Sequence, residues 1–326
     1  MAHITILGSG AWGTALGQIL SLNHTVTIWG RSSDKITGYA QSSQHSALKG
    51  VILSSKIHWT SCINNALEKA EIIILSIPTQ HCRDALHKIH PLIKHHIPLI
   101  QTAKGIEIET GLFTPQITHD IFPNNPNFLL SGPGFAIDLA HLRPTAVSLA
   151  SMSHHKDTIQ LIQDLFLQTP LRPYHQTDMM GVALGGALKN VLAIAAGFCI
   201  GHNLGEGAKS AIITRGFNEM ILLAKALKAD SQTLYGLSGL GDLMLTANSM
   251  TSRNYQYGHA LGHNETMNLS DATVEGYHTL LALEKKVTLD VQNYPIFSAL
   301  SDLIGQRKSK AEIIAHLLDR PFKEEF

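Results

Sequence analysis

The chain opens with a run of apolar and β-branched residues, Ile4-Thr5-Ile6-Leu7, that gives way to Gly8-Ser9-Gly10-Ala11-Trp12-Gly13. Thr14-Ala15-Leu16-Gly17-Gln18-Ile19-Leu20 follows, with apolar positions spaced for a helix. Comparable short apolar runs recur over residues 25–29, 72–77, 97–102, 128–131 and 146–150. Near-continuous rather than alternating apolar residues are what a strand covered on both faces needs. They therefore predict a parallel, doubly wound (Rossmann-type) sheet with helices between the strands. Near residue 180 the texture changes to Ala, Leu, Met, Lys and Glu with 3.6-residue apolar spacing. Phe217, Met220, Ile221, Ala224 and Leu227, for example, fall on one face. The expected organisation is an α/β N-terminal domain over 1–180 and an all-α C-terminal domain over 181–326. No Pro/Ser-rich linker separates them, so they should pack directly.

The glycine turn carries the first chemistry. Gly8 can make the tight turn, Gly10 lets the backbone approach a pyrophosphate, and Gly13 allows helix to pack on strand. First-turn amides and the helix dipole would then face the phosphates. Glycine spacing alone is weak; the strand before it and the helix after it make it specific. The alternative is a glycine-rich turn without a nucleotide. The second run ends in Gly30-Arg31-Ser32-Ser33. An NAD site usually carries Asp or Glu here, whereas Arg suits a ribose 2′-phosphate. Asp34 comes a few residues late. Arg31 thus points to NADP(H), or to acceptance of NAD(H) as well; the alternative is a solvated loop arginine.

Composition narrows the class. The 326 residues are 44% hydrophobic and 15% charged, as in a compact globular protein. Lys plus Arg and Asp plus Glu both number 25, so no global field attracts nucleic acid or anionic membrane. Cys62, Cys82 and Cys199 are widely spaced without a CxxC, which favours a reducing compartment and a cytoplasmic protein. Met1-Ala2-His3 leaves no room for a signal peptide before the first strand. The apolar run 191–201 is about half the ~20 residues of a membrane span, and extending it backwards meets Lys189 and Asn190, so a buried core helix is expected. Histidine is abundant, at 19 residues. The most metal-like cluster, His81, Cys82, His87 and His90, lacks a second helix-based pair, and no metal is expected.

Lys189 is the most conspicuous ionisable residue, set among Gly185, Gly186, Ala187, Leu188 and Val191. A buried ammonium needs a partner, and desolvation lowers its pKa towards the range of proton transfer. A snorkelling lysine at the helix edge is the alternative. Asp242, after Ser238-Gly239-Leu240-Gly241, could pair with Lys189 or simply cap a helix. Ser252, Arg253 and Asn254 could form an anion site at a helix N-terminus, or an ordinary serine cap beside an exposed arginine. Lys104 follows a strand end and could face a cofactor or a substrate phosphate. Glu275 has no assignment from physics alone.

Together these segments resemble the bacterial NAD(P)-dependent glycerol-3-phosphate dehydrogenases over essentially the whole chain. The resemblance rests on the glycine turn, Ala103-Lys104-Gly105-Ile106-Glu107, Ser131-Gly132-Pro133-Gly134-Phe135-Ala136 and Ala187-Leu188-Lys189-Asn190. It continues through Ile213-Thr214-Arg215-Gly216, Gly239-Leu240-Gly241-Asp242, Ser252-Arg253-Asn254 and Val274-Glu275-Gly276-Tyr277. It implies reversible reduction of dihydroxyacetone phosphate to sn-glycerol 3-phosphate, a phospholipid precursor, with NADP(H) or NAD(H). It further implies Lys189 as proton donor and acceptor, supported by Asp242. Substrate contacts would come from Lys104, Gly132, Gly134, Ser252, Arg253 and Asn254. Cofactor contacts would come from Ala11, Trp12, Arg31, Ala136, Arg253, Thr273 and Glu275, with Lys104 bordering both. Gly134 departs from the pattern, since many relatives carry Ser or Thr there. An apolar helical domain is compatible with a homodimer. Two rival readings are a β-hydroxyacid dehydrogenase and a non-catalytic NAD(P)-sensing module, for which Lys189, Asp242 and the anion triplet would be superfluous.

Overall fold

A computed structural model describes residues 1–151, 156–265, 267 and 274–318. Eight strands form one sheet: β1 (His3–Leu7), β2 (Thr25–Trp29), β3 (Ile57–Thr60), β4 (Ile72–Leu75), β5 (Leu99–Gln101), β6 (Asn127–Ser131), β7 (Thr145–Ser151) and β8 (Leu171–Gln176). Their order is β3-β2-β1-β4-β5-β6-β7-β8. All neighbours are parallel except β6 and β7, where the chain reverses. Leu7 pairs with Trp29 and Leu75, and Leu75 with Gln101, so the carboxyl ends of β1, β2, β4 and β5 share one rim. Ligands of doubly wound sheets bind at that rim.

The six apolar runs all became strands, and β4, β5 and β6 are buried along their whole length. The two strands absent from the sequence reading, β3 and β8, are the sheet's edges. Ile57-His58-Trp59-Thr60 and Leu171-Arg172-Pro173-Tyr174-His175-Gln176 each bury little beyond their first residue. An edge strand tolerates polar side chains and a proline, so neither has the signature of a covered strand.

The helices are α1 (Ala11–Leu20), α2 (Ser33–Ser42), α3 (Ile63–Leu67), α4 (Cys82–Ile89), α5 (Thr114–Ile121), α6 (Ala136–Ala140), α7 (Lys156–Asp164), α8 (Met179–Gly201), α9 (Gly205–Ala226), α10 (Asp242–Thr246), α11 (Arg253–Gly262), α12 (Glu275–Lys286), α13 (Pro295–Ile304) and α14 (Lys310–Leu318). Residues of α1, α6 and α7 pack on one face of the sheet and those of α4 and α5 on the other. Beyond Gln176 no strand occurs among the described residues.

Helix α8 extends well before the 191–201 run, reaching 23 residues. It is long and apolar enough to cross a membrane, yet 94% of its most apolar window is covered by protein. It is a core helix, with α9, α10, α11 and α12 around it. Its contact with α11 is backbone to backbone. A Cβ on Gly197 would strike the Tyr255 carbonyl, one on Gly201 the His259 carbonyl, and one on Gly258 the Ile194 carbonyl.

Candidate active site

The glycine turn is closed where strand meets helix and open where a ligand would lie. Gly8 has φ +123°, and a Cβ there would strike the Ser76 carbonyl; a Cβ on Gly13 would strike the Gly8 carbonyl. Around Gly10 nothing lies within 4 Å of the Cβ position. No side chain caps α1, which leaves its first-turn amides for a phosphate. These features fit a dinucleotide. Arg31 is exposed beyond β2. Ser32 next to it caps α2, its hydroxyl accepting from Lys35 N at 3.4 Å, while its own proton stays available to a ligand.

Trp12 and Ala136 are partly buried against the same core, where α1 meets α6. A Cβ on Gly134 would lie 3.2 Å from the Trp12 ring and 3.1 Å from the Thr145 methyl. A side chain at 134 would thus be tight against the Trp12 edge, which would have to give by a few tenths of an ångström to admit it.

Beyond the β5 and β6 ends lies a buried charge cluster. Lys189, in the middle of α8, donates from Nζ to Thr246 Oγ1 at 2.7 Å and pairs with Asp242 Oδ1 at 3.1 Å. Lys104 Nζ donates to Asp242 Oδ2 at 2.6 Å and to the Gly132 carbonyl at 2.8 Å. Thr246 Oγ1 donates to Asp242 Oδ1 at 3.2 Å. The Lys189 and Asp242 side chains are 8% and 2% exposed, and Lys104 is 19% exposed. Lys189 is thus paired and buried rather than snorkelling, and Asp242 faces two ammonium groups instead of capping α10. A π-helical turn, Leu237–Gly241, delivers Asp242 into this position. Thr246 was not singled out from the sequence; its spacing of four from Asp242 on one helical face was the available signal.

Burial pushes the Lys189 ammonium down to about 8, with Lys104 adding to the fall and Asp242 opposing it. Burial alone would raise the Asp242 carboxyl, but Lys104 and Lys189 outweigh it and hold the group below its ordinary range. The result is a carboxylate that stays ionised beside a lysine able to give up its proton near neutral pH.

The triplet at α11 divides its labour. Ser252 accepts from Tyr255 N at 3.3 Å as the helix cap, and Arg253 is exposed. Asn254 Oδ1 accepts from Gly276 N at 2.9 Å, and its Nδ2 donates to Asn190 Oδ1 at 3.0 Å. Asn190 in turn donates to the Lys104 carbonyl at 3.3 Å. Asn254 therefore ties α8, α11 and α12 to the Lys104 strand end, and its carboxamide is partly committed. Asn190 was not foreseen as part of this lattice. Glu275 accepts from Thr79 N at 3.3 Å. Burial pushes its carboxyl up to about 7, against the Thr79 hydrogen bonds and the nearby Arg253 guanidinium. Glycine at 105 is what permits this approach, since a Cβ there would lie 2.5 Å from Glu275 Oε2. Thr273 lies outside the described residues.

A dinucleotide cradle bordered by buried proton-transfer groups is the arrangement of a nicotinamide-dependent oxidoreductase. The models for the N- and C-terminal parts of NAD-dependent glycerol-3-phosphate dehydrogenase match residues 3–157 and 178–315. The chain belongs to this family. A glycerol-3-phosphate dehydrogenase (NAD(P)+) of Zymomonas mobilis is 42% identical over 330 residues, covering 99% of this chain and 95% of that one. Its counterpart in Afipia carboxidovorans is 38% identical, covering 99% and 98%. The crystal structure of the Coxiella burnetii glycerol-3-phosphate dehydrogenase is similar with a TM-score of 0.89 at 27% identity, covering 98% and 99%. The chain is an NAD(P)-dependent enzyme, which sets aside the sensing module.

Proposed function

We propose that the protein catalyses the reversible reduction of dihydroxyacetone phosphate to sn-glycerol 3-phosphate. In this reading residues 1–180 hold the dinucleotide and 181–326 supply substrate contacts and the proton. The observation that carries it is Lys189, a buried ammonium held between Asp242 and Thr246 in a charge cluster it shares with Lys104. The bound nicotinamide supplies the hydride. Lys189 Nζ gives its proton to the C2 oxygen and stabilises the charge developing there. Asp242 keeps Lys189 oriented and accepts from the glycerol hydroxyls. Lys104, with the Gly132 and Gly134 backbone, lines the substrate, and Ser252 and Arg253 bind its phosphate end. Ala11, Trp12, Arg31, Ala136 and Glu275 face the cofactor. Asn254, with one amide hydrogen left after its bond to Asn190, positions Arg253 as much as it binds. The enzyme would work in the cytoplasm, where its three free cysteines stay reduced, as a homodimer supplying glycerophospholipid synthesis.

The direct test follows the absorbance of reduced nicotinamide with purified protein, NADPH or NADH, and dihydroxyacetone phosphate. Oxidation that requires the phosphorylated ketone is expected. Turnover of 3-hydroxyacids instead would replace this reading with the hydroxyacid class.

Two substitutions probe the ends of the site. Arg253→Ala should raise the KM for dihydroxyacetone phosphate roughly 10- to 100-fold, the loss of a charge-assisted contact. Unphosphorylated glyceraldehyde-type substrates should be little affected; equal losses for both would remove Arg253 from the phosphate. Arg31→Asp should move the NADPH/NADH preference towards NADH by about tenfold or more. An unchanged ratio of kcat/KM values would show that the 2′-phosphate is bound elsewhere.

A further inference from the structure

We infer that His45 is a positioning residue of the dinucleotide site, acting through the Ser9–Gly10 peptide of the glycine turn. The inference rests on the dinucleotide reading of that turn. His45 follows α2 and is 6% exposed. Its Nε2 lies 3.1 Å from the Ser9 carbonyl oxygen, and its Nδ1 lies 3.1 Å from Ala47 N. A backbone N–H can only donate, so Nδ1 must be the bare, accepting nitrogen. Nε2 therefore carries the hydrogen and donates it to Ser9. Both neighbours specify one neutral tautomer.

The surroundings reinforce this state. The Tyr39 ring lies 4.5 Å from the imidazole, centroid to centroid. Burial, with the Lys35 cation on α2, pushes the imidazole pKa below its ordinary value, against the Ser9 hydrogen bond. The residues beyond His45 are themselves tied down, with Leu48 N donating to the His45 carbonyl and Leu53 N to the Ser43 carbonyl. The donor that grips Ser9 is thus fixed in place.

The consequence lies in the peptide plane. The Ser9 carbonyl and the Gly10 N–H belong to one planar trans unit, so they point in opposite directions. By holding the carbonyl, His45 aims the Gly10 N–H away from itself. Among the described residues no acceptor meets that N–H, and nothing lies within 4 Å of the Gly10 Cβ position. A glycine at this point would otherwise leave the peptide free to turn over. His45 thereby presets the amide that a pyrophosphate needs, from a segment that makes no other contribution to the mechanism.

The test compares His45→Phe, which keeps a ring against Tyr39 but removes both nitrogens, with His45→Gln, which retains a donor and an acceptor. Calorimetric titration of each protein with NADPH and NADH should show the Phe variant binding about tenfold more weakly, the worth of one lost hydrogen bond and its preorganisation. The Gln variant should stay within about threefold of wild type. In turnover, the Phe variant should raise the cofactor KM and leave kcat and the KM for dihydroxyacetone phosphate unchanged. Wild-type affinity in the Phe variant, or equal weakening in both, overturns the inference. Should the Phe variant not fold, the ring-nitrogen NMR spectrum decides. A resonance of the Nε2–H tautomer that His45→Gln abolishes is expected, and an Nδ1–H or charged ring overturns it. If the wild type binds neither dinucleotide, the cofactor reading falls and this inference with it.

Discussion

Lys189→Ala is expected to lower kcat by roughly 10²–10⁴-fold, the usual worth of a positioned general acid, with little change in the cofactor dissociation constant. Lys104 is the only nearby candidate to replace it among the described residues, and it is already engaged with Asp242 and the Gly132 carbonyl. The substitution also leaves Asp242 with one cationic partner instead of two. The pH dependence gives a second signature. With its proton released near pH 8, Lys189 is an ammonium below that pH and an amine above it. The rate of ketone reduction should therefore hold below about pH 8 and fall as pH rises through it, while alcohol oxidation should rise over the same interval. Lys189→Ala should abolish that limb in both directions. Single-turnover measurements across pH separate this step from product release; near-full kcat in the variant would end the assignment.

Glu219→Ala should cost about 2–4 kcal/mol of stability, the range for leaving buried polar partners unpaired. Glu219 is buried on α9, and its carboxylate accepts from Ile296 N at 2.9 and 3.1 Å and from Phe297 N at 3.0 Å. Those amides belong to the first turn of α13, which begins with Pro295 and has no side-chain cap of its own. A carboxylate from another helix thus performs the N-terminal capping, aided by the favourable dipole. Glu219→Gln, which keeps an acceptor without the charge, should recover part of the loss. Thermal or denaturant unfolding measures both; a cost below about 0.5 kcal/mol for Ala would mean water replaces the carboxylate at α13.

What could be read from the sequence follows from how local each signal is. The central strands were legible because burial on both faces leaves uninterrupted apolar runs. β3 and β8 were not, because an edge strand is free to be polar. The glycine turn was legible because its three glycines and both flanking elements are contiguous. Lys189 stood out as a charge within an apolar helix, but its burial needed a partner on α10 to be settled. Asp242 for the same reason stayed divided between capping and pairing. For Ser252 and Arg253 the cap is what is seen directly: the serine caps α11, and the arginine beside it is exposed, its charge opposing the burial that raises the Glu275 carboxyl. Glu219 and His45 gave no local sign at all. Their partners lie on other elements, and nothing in their own neighbourhoods distinguishes them from surface residues.

The glycine contacts that bring α8 and α11 into direct backbone apposition have a consequence for how this site can evolve. One helix carries Lys189, the proposed proton donor; the other begins at Arg253, the proposed clamp for the phosphate end of the substrate. Where carbonyls rest on Gly197, Gly201 and Gly258, no side chain lies between the two helices to be trimmed or enlarged. The separation of proton donor and anion clamp is therefore a fixed gauge, set by main-chain radii. New substrates could be accommodated by exchanging groups at either jaw, but one with a longer spacing between carbonyl and charge would require the jaws themselves to part.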